Sequence, residues 1–81
     1  MHIPEIFSSL ADLTVGTKCK ISSIELDGLL RRRVLDLGMI PGTQVECIRR
    51  SPAGDPIAFR VRNTTIALRS DDAGLIKVYP I

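Results

Sequence analysis

Apolar and polar positions along the 81-residue chain follow two different periods. Over residues 17–24, TKCKISSI, polar Lys18 and Lys20 alternate with apolar Cys19 and Ile21, which predicts a strand with Cys19 and Ile21 facing a core. Over residues 28–37, GLLRRRVLDL, the period lengthens. Leu30, Val34 and Leu37 recur at i, i+4 and i+7 and so share one face of a helix. Two-residue alternation returns over 43–50 and 57–62, on either side of SPAGDP, where Gly54 supplies backbone freedom and Pro56 can stand only at the start of a strand. A last strand is predicted at LIKVY, residues 75–79. Ahead of the first strand, SSLADLTVG (residues 8–16) has Asp12 three places after Ser9, the capping-box spacing, and predicts one or two helical turns ending at Val15-Gly16.

The junctions are as informative as the elements. Gly38 follows the last apolar residue of the helix, where a left-handed residue closes the final turn, and Met39 is placed for the accompanying hydrophobic contact. Ile40-Pro41-Gly42-Thr43 has proline second and glycine third, the chemistry of a type II turn. If Val45 pairs with Val61 and Cys47 with Phe59, the apolar faces coincide, and Glu46 lies beside Arg60 as a cross-strand ion pair. A turn at Asn63-Thr64 then pairs Val61 with Ile66 and Phe59 with Leu68. Ser70 is placed to cap a short turn over DDAG (residues 71–74). Five short strands with one helix inserted early predict a mainly β chain folded as one small closed barrel with little edge left exposed, a single domain over residues 1–81.

Composition narrows the function. Hydrophobic residues at 44% and charged residues at 25% suit a globular chain, and the formal net charge of +2 is low for a dedicated nucleic-acid binder. No stretch approaches the roughly 18–20 apolar residues of a membrane span. The first residues, MHIPEIF, bring an early acid and a proline and do not resemble a secretory signal, so the cytoplasm is the expected compartment. Two cysteines agree, since small secreted domains usually carry several disulfides.

The candidate chemistry is sparse. Cys19 and Cys47 lie on separate strands and His2 is the single histidine, too few ligands for a zinc site; no metal or cofactor is expected. No Ser-His or Cys-His pairing can be assembled, Asp71 and Asp72 suit a helix start, and Asp55 suits a side-chain turn that orders its own loop. No glycine-rich loop leads into Lys-Ser or Lys-Thr. An enzyme is therefore not expected. On the helix, Arg32 and Asp36 are spaced for an i,i+4 pair. The arginines read equally as a solvated helix face or as an interaction surface, since Leu35, Met39 and Leu29 add apolar area beside them, a combination favoured where proteins meet. Phe7, Phe59 and Tyr79 are the three aromatics, few for base stacking, so no nucleic acid is expected.

Together LADLTVGTKCKI, RRRVLDLGMIPGTQVE and SPAGDPIAFRVRNTTIALRSDDAGLIKV resemble the ferrous iron transport protein A (FeoA) family, from about Leu10 to Val78. The specific parts are the Arg-Arg-hydrophobic-x-x-Leu-Gly segment at Arg32 to Gly38, the Pro-Gly-x-x-Val corner, the Gly-Asp-Pro loop and Ala67-Leu68-Arg69. Val34 stands where leucine is commoner, and Asn63 where glycine is usual. The resemblance implies an SH3-like barrel with an inserted helical segment. It also implies a cytoplasmic accessory of the membrane ferrous iron transporter B, whose cytoplasmic region carries a GTP-binding domain. The contact surface expected for that partner combines Leu29, Arg32, Arg33, Leu35 and Met39 with the loop residues Pro52, Gly54 and Asp55. Two other uses of such a barrel are RNA binding, against which the modest charge and few aromatics weigh, and the interaction domain of an iron-dependent repressor, for which the chain has no winged-helix segment.

Overall fold

The computed structural model describes residues 9–81; His2 and Phe7 lie outside them. A 3₁₀ turn at Leu10–Asp12 leads into strand β1 (Lys18–Ile24), helix α1 (Gly28–Asp36) and strand β2 (Gln44–Arg50). Strands β3 (Ile57–Val61) and β4 (Thr64–Leu68), the one-turn helix α2 (Ser70–Ala73) and strand β5 (Ile76–Pro80) complete the chain. The five strands form one sheet in the order β4-β3-β2-β1-β5, every neighbouring pair antiparallel. Among the described residues no helix is long and apolar enough to cross a membrane.

Alternation decides which side of the sheet is buried. Cys19 and Ile21 of β1, Val45 and Cys47 of β2, Phe59 of β3, Ile66 of β4 and Ile76 of β5 all point into one core. Phe59 is fully buried and lies between Cys47 and Ile66 in the strand register. Register irregularities between Ile21 and Ser23 on β1, and between Cys47 and Arg49 on β2, interrupt the ladder at two places. Bulges of this kind bend a strand and sharpen its twist, which lets a five-stranded sheet wrap a core this small.

The expected β2–β3 pairing is present: Val45 faces Val61, Cys47 faces Phe59, and Glu46 lies beside Arg60 with a 4.0 Å ion pair. With the Arg60 side chain 56% exposed, that pair contributes little to stability. The β3–β4 pairing corrects the sequence expectation. Phe59 faces Ile66 and Ile57 faces Leu68, so the turn is Arg62-Asn63, and Val61 faces Thr64. Arg62, not Asn63, takes the left-handed conformation, with φ 56°. The displacement is two residues, so every side chain keeps its face; apolar still meets apolar at Phe59–Ile66 and Ile57–Leu68, while Val61 is set against Thr64.

The corner after α1 follows its sequence signals. The Gly38 N–H donates to the Leu35 carbonyl at 3.0 Å and the Met39 N–H to the Val34 carbonyl at 2.9 Å, the paired bonds of a Schellman closure. Gly38 has φ 103°, and Met39 folds under the helix end with no exposed surface. The type II turn is closed by the Thr43 N–H on the Ile40 carbonyl at 3.0 Å. Bonds from the Gly42 N–H to the Ile21 carbonyl and from the Ile21 N–H to the Thr43 carbonyl then fasten the corner to β1. Gly38→Ala forces a side chain into the left-handed region and towards the Arg62 stem, and is expected to lower stability by about 1–2 kcal/mol in urea unfolding.

Candidate functional site

Helix α1 is held at three points. Val34, 1% exposed, is its one fully inserted side chain; Leu30 and Leu37 pack against the core half-buried. At the start, the Arg31 guanidinium donates to the Ile24 carbonyl at 2.9 Å, and at the end the Schellman closure anchors Met39. The rest of the helix faces outward. Leu29 is 86% exposed, Arg32 and Arg33 are exposed, and Leu35 is half-buried.

Two shallow grooves flank the helix. Gly28, Arg31, Arg32, Leu35 and Asp36 line one, of about 350 Å³. The other, of about 420 Å³, runs between Leu30, Arg33, Val34 and Leu37 of the helix and Thr64–Leu68 of β4. β4 is an edge strand of the sheet, so this groove has a partly apolar floor and an unpaired strand edge beside it. Arg32 and Asp36 do not meet the expectation of an ion pair: among the described residues the one pair within 4.0 Å is Arg60–Glu46.

The expected surface is only partly assembled. Arg32 and Leu35 share one groove, Arg33 lines the other, and Leu29 stands free on the helix. Met39 is not a surface residue, because the closure that ends the helix requires its side chain in the core. Pro52, Gly54 and Asp55 are exposed, but neither helix groove contains a residue of their loop. Asp55 does not order its own loop. Its carboxylate accepts the Ser70 N–H at 2.7 Å and the Ser70 hydroxyl at 3.1 Å. It thus caps the first turn of α2 from a distance, a role expected of Ser70; the N-cap position is Arg69, with no side-chain cap of its own. The β4 residues opposite α1 escape a sequence reading, since nothing local in TTIAL marks which helix it faces.

Other polar groups have structural duties. Ser9 and Asp12 form the expected capping box around the 3₁₀ turn, which spans a single turn. The Arg50 guanidinium donates to the Ala11 and Leu13 carbonyls at 2.6 and 2.7 Å, tying the end of β2 to that turn. Cys19 and Cys47 are free thiols with no exposed surface. Burial, with a smaller contribution from Cys47, pushes the Cys19 thiol up to about 11, and burial also raises Cys47. Both are therefore neutral and shielded at ordinary pH, poor nucleophiles and poor metal ligands as they stand.

A family model described as the FeoA domain matches residues 8–80. The chain belongs to the FeoA domain family. Over 69 residues it is 30% identical to the Fe(2+) transport protein A/Fe(2+) transporter FeoB fusion protein of Porphyromonas gingivalis (strain ATCC BAA-308 / W83), an alignment covering 85% of this chain and 8% of that protein. The chain thus spans a small fraction of that relative's length. The FeoA protein of Chlorobium tepidum has the same fold, with a TM-score of 0.86 at 29% identity over 90% of this chain and 70% of that one. FeoA of Stenotrophomonas maltophilia complexed with zinc, characterised as a prokaryotic SH3 domain protein, matches at a TM-score of 0.77 and 27% identity, covering 86% of this chain and 87% of that one. The barrel is SH3-like, as the family resemblance implied.

Two predictions test the structural assignments. Asp55→Ala removes the acceptor for both Ser70 groups and is expected to lower stability by about 1 kcal/mol, whereas Pro52→Ala stays within about 0.5 kcal/mol, both by urea unfolding. For Cys19, the folded state holds its proton to about pH 11 while the unfolded thiol ionises near its ordinary value. Its stabilising contribution is therefore intact below about pH 8.5 and declines as pH rises towards 11. The decline, about 3 kcal/mol, is read as the difference in pH dependence between the natural protein and Cys19→Ala.

Proposed function

We propose that the protein is a non-catalytic, cytoplasmic accessory of ferrous iron transport that binds the cytoplasmic region of a FeoB-type membrane transporter through the outward surface of α1. The observation that carries this reading is the Porphyromonas gingivalis relative, whose name joins transport protein A and the transporter FeoB in one polypeptide. Tethering raises the effective concentration of two modules for one another, so such a fusion is favoured where they function in contact. The helix supports the reading from the other side. It presents an isolated exposed leucine, Leu29, among Arg32 and Arg33, with Leu35 half-buried nearby. Exposed apolar area rimmed by arginines on a rigid, solvated element suits a protein partner better than a small molecule.

Regulation adds a requirement. A binder shifts the transporter's conformational equilibrium only if its affinity differs between states. Calorimetric titration of the protein into the cytoplasmic region of its cognate transporter, with and without a non-hydrolysable GTP analogue and at two salt concentrations, tests both points. Saturable, nucleotide-dependent binding is expected. Leu29→Glu and Leu35→Glu are each expected to weaken it at least about tenfold while shifting Tm by no more than a few degrees. Absence of binding under every condition would overturn the proposal.

A further inference from the structure

A third depression lies on the outer face of the sheet, away from the apolar α1–β4 groove. Strand pairing sets Lys18, Glu46 and Arg60 in one row across β1, β2 and β3. Thr43, Gln44 and Arg62 complete the lining of a concavity of about 270 Å³ that has no apolar side chain. Glu46 reaches Arg60 at 4.0 Å; among the described residues neither Lys18 nor Arg62 has a counter-ion. All three cations are exposed.

Arg62 is the most informative of the three. Among the described residues it is the one non-glycine with positive φ, at the first position of a two-residue hairpin turn. That conformation is costly for a bulky side chain and suits glycine or asparagine. Its stem also lies across the corner after α1: a methyl group on Gly38 would stand 2.9 Å from Arg62 Cδ and Nε. The turn would form more easily with glycine at 62, and the helix end leaves room for an arginine stem. A long cation is thus kept where the backbone disfavours it, beside two other cations around a polar concavity. Strain of this kind persists where a side chain has a use.

We propose that this groove binds an acidic segment of a protein partner, with Lys18, Arg60 and Arg62 receiving aspartate or glutamate carboxylates. Gln44 and Thr43 supply hydrogen bonds to the segment's backbone. Charge complementarity selects the occupant. Glu46 in the middle of the row repels a uniform polyanion such as an RNA backbone but fits a peptide whose charges are spaced. With no apolar residue in its lining, the groove contributes to encounter rate and selectivity, and its binding weakens with salt. That the partner is the transporter rests on the function proposed above; the chemistry of the groove does not.

The test is an NMR titration of the full chain with a short synthetic Asp/Glu peptide, with an oligouridylate in parallel. The peptide is expected to shift the amides of residues 43–46 and 60–62 saturably, with affinity falling several-fold between about 50 and 200 mM salt. Arg60→Gln and Arg62→Gly are each expected to weaken binding about three- to tenfold, while Arg62→Gly leaves Tm equal or raises it. Absence of localised shifts, or tighter binding of the oligouridylate at the same amides, would overturn the proposal. So would an Arg62→Gly protein that loses thermal stability yet keeps full affinity, since the arginine would then be structural. Because the titration contains no transporter, its outcome is independent of whether the transporter binds. If the transporter region does bind, undiminished affinity in the Arg60→Gln, Arg62→Gly double variant assigns the transporter contact to α1 alone and removes the groove from it.

Discussion

One core must be filled by five short strands, and the period of two along each strand decides how. A slip of one residue in β2 or β3 would turn Cys47 or Phe59 outward and, in one direction, place Glu46 or Arg60 in the centre, a cost no surface contact of this small chain offsets. The rest is arranged around that restriction. The bulges at β1 and β2 bend the sheet without changing which residues face inward over most of its length. Helix α1 and the 3₁₀ turn then cover what the strands leave open, with Val34, Leu10 and Leu13 as their inserted side chains.

Sequence legibility followed the range of the interaction. The helix end and the turn after it were readable because Gly38, Met39, Pro41 and Gly42 act on neighbours within a few residues. The β2–β3 register was readable because one alignment alone satisfied both the apolar face and the Glu46–Arg60 pair. The β3–β4 register was not. Two alignments separated by two residues bury the same side chains, and asparagine is the better left-handed residue by intrinsic preference, yet Arg62 holds that position.

The site was less legible than the fold for the same reason. Met39 lies at the end of an amphipathic pattern and looks available to a partner, but the chain leaves the helical wheel at Gly38 and the side chain drops into the core. Asp55 finds its partner in Ser70, fifteen residues on, and β4 faces α1 across a shared groove; neither relation leaves a local mark. Adjacent arginines with the same chemistry differ in use. Arg31 and Arg50 hold backbone carbonyls, whereas Arg32, Arg33 and Arg62 accept no such constraint from the described residues. Counting charge in the sequence cannot separate these groups, and it is the second that leaves cations available at the surface.

The way α1 is attached has a wider consequence. The helix occupies the connection between two adjacent strands, is fastened at its two ends, and gives the core a single fully buried side chain. The hydrogen-bonded ladder of the barrel does not pass through it. It is therefore a separable cassette in the fold: its outer side chains can be exchanged while β1 and β2 stay paired beneath. The barrel can thus carry change on this one surface without a change in how it folds.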